Sequence, residues 1–431
     1  MYPGRRIAQP LRRVLVLLQL VRVLTGCGRD GLDRTALLEP ATCQGCHPDQ
    51  FREWSGSMHA YASDDPVFRA INARGQRETG GTLGGLCVNC HAPMAVREGA
   101  TIDGANLDEL PRELHGVTCV FCHSVTDVEG DHNNPLVLAD DGVMRGQLAD
   151  PMETPAHASA HEPLVDGHAV TSSRACGACH DVVMPAGLAV ERTYAEWQTS
   201  LFAQPGTELS CAACHMKGRD GRAADVRGAP QRRVSSHALA GLDIATTPWP
   251  ETDAQRAAIA EDLEPAISAK LCVSPGPGGL QLDVTLDNVA AGHAWPSGVT
   301  HARRVWVEVT ATAAGTTVLD DTTWTLGQRL LAADGHEVQM AWEAAREESV
   351  LLPPAVTADP QDPSFYHAVT RSYRAPPETD AAEITVWIQP IAQAVLDDLA
   401  ASGDLPPQQA ATFAMTSTHR TWQRADGYVC R

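Results

Sequence analysis

The pattern of apolar and polar positions changes character along the chain. An apolar run, VLVLLQLV, follows Arg5, Arg6, Arg12 and Arg13 and gives way to LTGC, ending at Cys27. It is too short to stay in a bilayer as a spanning helix. A basic start, an apolar stretch and a small-residue end predict an export signal over residues 1–26. Residues 27–250 predict a mostly α-helical and irregular domain in which short amphipathic pieces such as FREWSGSMHAYA and YAEWQTSLFAQ recur. TDAQRAAIAEDLEPAI opens on the cap residues Thr252 and Asp253 and stops at Pro265, which predicts a helical linker over 251–275. After SPGPGG the period changes to two. Leu280, Leu282, Val284 and Leu286 share one face of LQLDVTLDNV, and Ile384, Val386 and Ile388 share one face of EITVWIQP. With RVWVEVTAT, an AAG turn and TTVLDDTTWTL between them, these segments predict an antiparallel β-sandwich-like domain over 276–431. LLPPAVTADPQDPSFYHAV reads as a proline-rich loop and QAVLDDLAASGDL as an amphipathic helix.

Charge narrows the classes of partner. The formal net charge is −20, and loss of residues 1–26, with five arginines and no acids, leaves about −25. Such a chain repels nucleic acid and anionic membrane surfaces. LTGC fits a lipobox, so Cys27 is the expected lipidation site, although Arg22 inside the apolar run departs from that pattern. An acyl anchor would hold the protein at a membrane, expected to be the outer one, without a spanning helix. The expected location is therefore the periplasm or cell surface. Aromatic residues make up only 5% of the chain, so the usual bulky core builders are scarce and something else must fill the interior.

Ten of the 13 cysteines fall into five C-x-x-C-H units. They are CQGCH (Cys43, Cys46, His47), CVNCH (Cys87, Cys90, His91), CVFCH (Cys119, Cys122, His123), CGACH (Cys176, Cys179, His180) and CAACH (Cys211, Cys214, His215). Two thiols three positions apart reach the two vinyl groups on one porphyrin edge, and the following imidazole binds iron from below. Zinc sites and disulfides also use paired cysteines, but neither requires a histidine directly after each pair. The expectation is five covalently attached c-type haems.

Twelve further histidines remain as second ligands. His59, in FREWSGSMHAYA, is the first choice, with Trp54 placed to pack on a haem face. His157, His237, His293 and His115 complete the candidate distal set, and His132 is weaker. YAEWQTSLF repeats the aromatic-x-E-W-x-x-S frame but has Leu201 and Phe202 where a histidine would fall. Met94, Met184 and Met216 are read as core residues, because each follows its motif too closely to reach the far side of that ring. His301, His336, His367 and His419 are expected in loops or at the surface. A disulfide between Cys272 and Cys430 would close a long loop around the C-terminal domain.

CQGCHPDQFREWSGSMHA, GVTCVFCHSV, CGACHD with ERTYAEWQTS, and CAACHM followed by SSHALAG together resemble the bacterial multihaem cytochromes related to hydroxylamine oxidoreductase and its tetrahaem electron acceptor. The resemblance covers about residues 40–240 and implies His59 as a distal ligand to a neighbouring haem, with haems in close pairs. NVAAGHAWPSG with ARRVWVEVT resembles a β-domain appended to many exported multihaem cytochromes and strengthens His293 as a ligand. Catalytic pentahaem nitrite reductases carry a C-x-x-C-K haem, and this sequence has none. Three functions compete on these residues. One is an electron carrier with bis-histidine haems, serving redox partners such as other cytochromes or quinol-linked complexes. Another is a reductase of a small nitrogen or sulfur oxyanion at a five-coordinate haem. The third is a structural subunit of a larger electron conduit. The supply of histidines favours the first.

Overall fold

A computed structural model describes residues 31–431. The export signal and Cys27 lie outside the described residues.

In the N-terminal half, short helices follow their caps. α1 (Pro48–Gly56) starts on proline immediately after His47, with Asp49 in its first turn. α2 (Met58–Tyr61) is capped by Ser57, and α3 (Pro66–Glu78) by Asp65, whose carboxylate accepts from Val67 N at 3.0 Å. α4 (Thr193–Thr199) carries the second aromatic-x-E-W frame. Between these helices run two-stranded ribbons, among them Val125–Val128 with Leu136–Leu138 and Gly218–Arg222 with Gln231–Ser235. Among the described residues no helix is long and apolar enough to cross a membrane.

The C-terminal half is antiparallel β-structure, as the period-two segments predict. α5 (Thr252–Leu263) leads into β1 (Ser268–Gly276) and β2 (Gly279–Asp287), followed by β3 (Arg304–Ala313) and β4 (Thr316–Leu331). Then come β5 (Glu337–Val338), β6 (Arg346–Val350), β7 (Val369–Ala375) and β8 (Ala381–Gln389). α6 (Gln393–Ala401) precedes β9 (Phe413–Gln423). One sheet has the order β7-β2-β1; the other runs β5-β4-β3-β8-β9, with β6 also on β4. Alternate residues of β2, β3 and β8 point into a shared core with Trp324, Trp422 and Trp295. Ala314 and Gly315 both have positive φ, as a two-residue hairpin turn between β3 and β4 requires.

Residues 251–275 are not all linker. Helix occupies only the first part, and Ser268–Gly276 is a full strand of the sandwich. SPGPGG is the turn of the β1–β2 hairpin rather than the entrance to the domain, so the sandwich begins at Ser268.

Cys272 and Cys430 form a disulfide. Beside it the last residues add to the edge of β1, with Leu271 N to Arg431 O at 2.7 Å and Val273 N to Val429 O at 2.9 Å. The bond closes a separation of 158 residues. Cys272→Ser should destabilise the sandwich by about 2–4 kcal/mol, measured as a fall in its denaturant midpoint; an unchanged midpoint would show that the strand pairing suffices.

The halves are joined by packing. Val67 and Ala70 of α3 share a cluster with Val395, Leu396 and Leu399 of α6 and with Met340. The buried Arg74 guanidinium bridges Glu78 at 2.8 Å and Asp398 at 2.5 Å.

Candidate functional site

Each Cys-x-x-Cys-His unit closes one helical turn. His47 N bonds Cys43 O at 2.8 Å, His180 N bonds Cys176 O at 3.0 Å, and His91 N bonds Cys87 O at 3.2 Å. Positions i, i+3 and i+4 lie on one helix face, so both sulfurs and the imidazole point the same way. All five units point into one cavity of about 1370 Å³ lined mainly by apolar side chains. That exceeds the roughly 300–1,000 Å³ of an ordinary small-molecule pocket.

Across the cavity, histidine rings face one another. His47 and His157 have ring centres 6.2 Å apart, His59 and His180 6.1 Å, His123 and His237 6.3 Å, and His215 and His293 6.4 Å. Two metal–imidazole bonds of about 2.0–2.1 Å, added to five-membered rings with bonds of about 1.33 Å, require about 6.3 Å. The spacing therefore fits one iron between each pair. Among the described residues no three or more His, Cys, Asp or Glu side chains gather to hold a bare ion.

The ring nitrogens away from the cavity are anchored. Nδ1 of His47, His91 and His215 bonds the carbonyl of Ala223, Ala62 and Ala240 at 2.7, 3.0 and 2.8 Å. His123 uses Arg145 O in the same way. Among the facing rings, His157, His237 and His293 use the carbonyls of Ala158, Ser235 and Ala294. A donating Nδ1–H fixes the tautomer and leaves Nε2 for metal. Burial, with neighbouring imidazoles, pushes His59 down to about 3 and His237 and His293 to about 4, holding them neutral as a ligand requires.

His180 differs. Its Nδ1 meets the carboxylate of Glu191 at 3.3 Å. Burial pushes His180 down, but the Glu191 hydrogen bond and charge, aided by Cys211 and Cys90, raise it to about 9. A carboxylate behind a ligand imidazole makes it a stronger donor and favours the ferric state. Each tenfold of that preference is about 59 mV, so Glu191→Gln should raise one potential of the set by about that order. Spectroelectrochemical titration reads it, and five unmoved potentials would remove Glu191 from the tuning.

His91 is the exception among the five. The ring stacked on it is Phe68 of α3, 3.9 Å away and 2° from parallel. A phenyl on the face of an imidazole packs beside it and supplies no ligand. Among the described residues no histidine ring faces His91.

Two sequence expectations are corrected. His115 is not placed for a metal: Nδ1 meets Asp64 at 2.9 Å and Nε2 meets Leu110 O at 3.2 Å, so both nitrogens are committed to a polar network. His301, expected at the surface, lines the cavity. Its Nδ1 is buried without a partner, and burial pushes it down to about 4. His336 and His419 are exposed, as expected, and His132, the weaker ligand candidate, is exposed beside Asp131. Met94 and Met184 are core residues.

The two aromatic-x-E-W frames fold alike. Ser57 donates to Trp54 O at 2.7 Å and Ser200 to Trp197 O at 2.8 Å, and both tryptophans line the cavity. Two residues on, His59 in one frame corresponds to Phe202 in the other. Gly116 holds the first frame in place. Its φ is +65°, and an added Cβ would lie 2.6 Å from the carbonyls of His59 and Ala60, while Val117 N bonds His59 O at 2.8 Å. Only glycine fits there.

Sulfur contacts show which units are neighbours. The thiols of Cys43 and Cys119, of Cys90 and Cys179, and of Cys176 and Cys211 lie close enough to interact. Cys122 lies within electrostatic range of Cys176 and Cys179. The first unit thus adjoins the third, the third adjoins the fourth, and the fourth adjoins both the second and the fifth. Cys46 lines the same cavity and is disulfide-bonded in the structure; a thioether there would have to replace that bond.

Residues 42–124, which hold the first three units, match the model of the family described as cytochrome c554 and c-prime. No curated protein matches the chain. Among solved structures, a penta-haem cytochrome c552 from Thermochromatium tepidum is similar in fold. Its TM-score is 0.63 at 17% identity, over 91% of this chain and all of that one.

Proposed function

We propose that this protein is an exported pentahaem c-type cytochrome that carries electrons in respiratory or extracellular electron transfer. The observation that carries the reading is the set of four facing histidine pairs at 6.1–6.4 Å, each joining one Cys-x-x-Cys-His imidazole to a distant ring. Haem c at these units supplies reversible one-electron exchange at iron. The chain's own part is to fix both axial imidazoles, hold His59, His237 and His293 neutral, exclude water with an apolar lining and set the five units side by side. That the structurally similar protein is a penta-haem cytochrome supports the number five. The signal-like start and LTGC support export and lipidation of Cys27, with an outer-membrane anchor. Redox proteins, either other cytochromes or quinol-linked complexes, are the partners this reading requires.

Intact mass of the mature protein, with reversible dithionite reduction followed by absorption, is the test. Five haem adducts are expected, with a lipid on Cys27. Four adducts, with the disulfide at Cys46 retained, would leave a tetrahaem protein, and none would end the reading.

One observation favours a second reading. Among the described residues His91 is the motif histidine with no facing imidazole at 6.1–6.4 Å, so the unit of Cys87 and Cys90 is the one suited to hold an iron open to a small ligand. In that reading the protein reduces a small nitrogen or sulfur oxyanion there, and the other units feed it electrons.

A further inference from the structure

At the fifth unit the cavity is bordered by Cys214, which is exposed. Three segments converge at that edge. Residues 200–213 bring Phe202, which packs over Gly292, and Leu209, which is 43% exposed. Residues 287–293 bring Val289, 46% exposed, just before His293. Residues 353–368 close the ring. Ala355 O accepts from Leu201 N at 2.7 Å, Val356 O accepts from Gln204 Nε2 at 2.7 Å, and His367 Nε2 meets Asn288 O at 3.1 Å. This third segment holds Phe365 and Tyr366 edge to face at 5.3 Å, with Tyr366 75% exposed.

None of the three segments contains a lysine or arginine, whereas Glu208, Asp287, Asp359 and Asp362 lie within them. Lys217, beside Cys214, is paired with Glu261 and Asp262, so the apolar patch, its aromatic anchor and the acids of the three segments are the complement of a lysine-ringed surface around an apolar centre.

We propose that this face docks a basic soluble redox protein, a small single-haem or copper carrier, against the edge of the CAACH unit. The partner's metal loses one electron as this site gains one, or the reverse, and no bond or proton changes hands. The proposal rests on the haem reading of that unit. The apolar centre supplies contact area, and the acidic rim steers the encounter and makes it sensitive to salt.

Calorimetric binding of a basic monohaem cytochrome c to the full haem-loaded chain, at low and high salt, tests it. Wild type should bind at low salt and weaken as salt rises. Tyr366→Ala should weaken binding about tenfold at both salts. Glu208→Gln with Asp359→Asn should weaken it at low salt and flatten the salt dependence. Asp320→Asn with Glu378→Gln, exposed acids outside the three segments, should change neither. Wild-type affinity in Tyr366→Ala, or an equal loss from the control pair, overturns the proposal. Ultracentrifugation that shows self-association relieved by Tyr366→Ala also overturns it, because the occupant is then a second copy. A fifth unit without haem by mass is visible before any binding run and counts against the haem reading instead.

Discussion

Made without haem attachment, the chain should fold only in its second half. Among the described residues, of the twelve largest fully buried side chains only Tyr61, Val88 and Val125 precede residue 250. The sandwich has its own contiguous core of strands and tryptophans, whereas the first half surrounds a cavity of about 1370 Å³. Ordering a residue costs about 1–2 kcal/mol of backbone entropy, and an unfilled cavity returns no dispersion or burial to offset it. In a strain lacking haem lyase, limited proteolysis should remove residues before about 250 and leave a disulfide-closed fragment containing Ser268 to Arg431. Amide exchange should show the same division. Slow exchange throughout residues 31–250 of the haem-free chain would mean that protein contacts alone carry the fold.

Low-temperature paramagnetic resonance of the oxidised, loaded protein should count four low-spin irons and one high-spin iron. Four of the five motif histidines have a facing imidazole, and among the described residues His91 has none. The high-spin signal should convert on adding cyanide, and only about one iron in five should respond. His293→Ala should create a second responsive iron, because it removes the imaging partner of His215 at 6.4 Å. Five low-spin irons in the wild type would show that another side chain reaches the His91 unit, and the reductase reading would lapse with it.

The sequence made much of this site legible, for a local reason. Cys-x-x-Cys-His is one helical turn, so its geometry is contained in five residues. His59, His157, His237 and His293 were also named as candidates, and each faces a motif histidine. Their pairing was not legible: His59, twelve residues after His47, faces His180 rather than the nearby motif. That match depends on Gly116 and Val117 gripping the His59 carbonyl from another segment. His115 looks no different from a ligand in sequence, and only the approach of Asp64 and Leu110 reveals its use. Phe68 carries no signal at all, since PVFRAIN reads as an amphipathic helix whatever it touches. In the sandwich, β2, β3 and β8 alternate cleanly and are legible in the sequence. β9, FAMTSTHRTWQ, is not, because a bulge opposite Ile384–Val386 breaks its alternation and polar residues occupy both faces.

His293 sits in a loop of the β-sandwich, after β2 and before β3, yet it faces an imidazole of the first half. The two halves are therefore one unit as far as the His215–His293 pair is concerned. Cutting the gene at the apparent seam would not leave the first half with its histidine pairs intact; it would take one ring from the last of them. Any lineage that discarded the sandwich would have to find a new ligand for that position or accept a changed potential there.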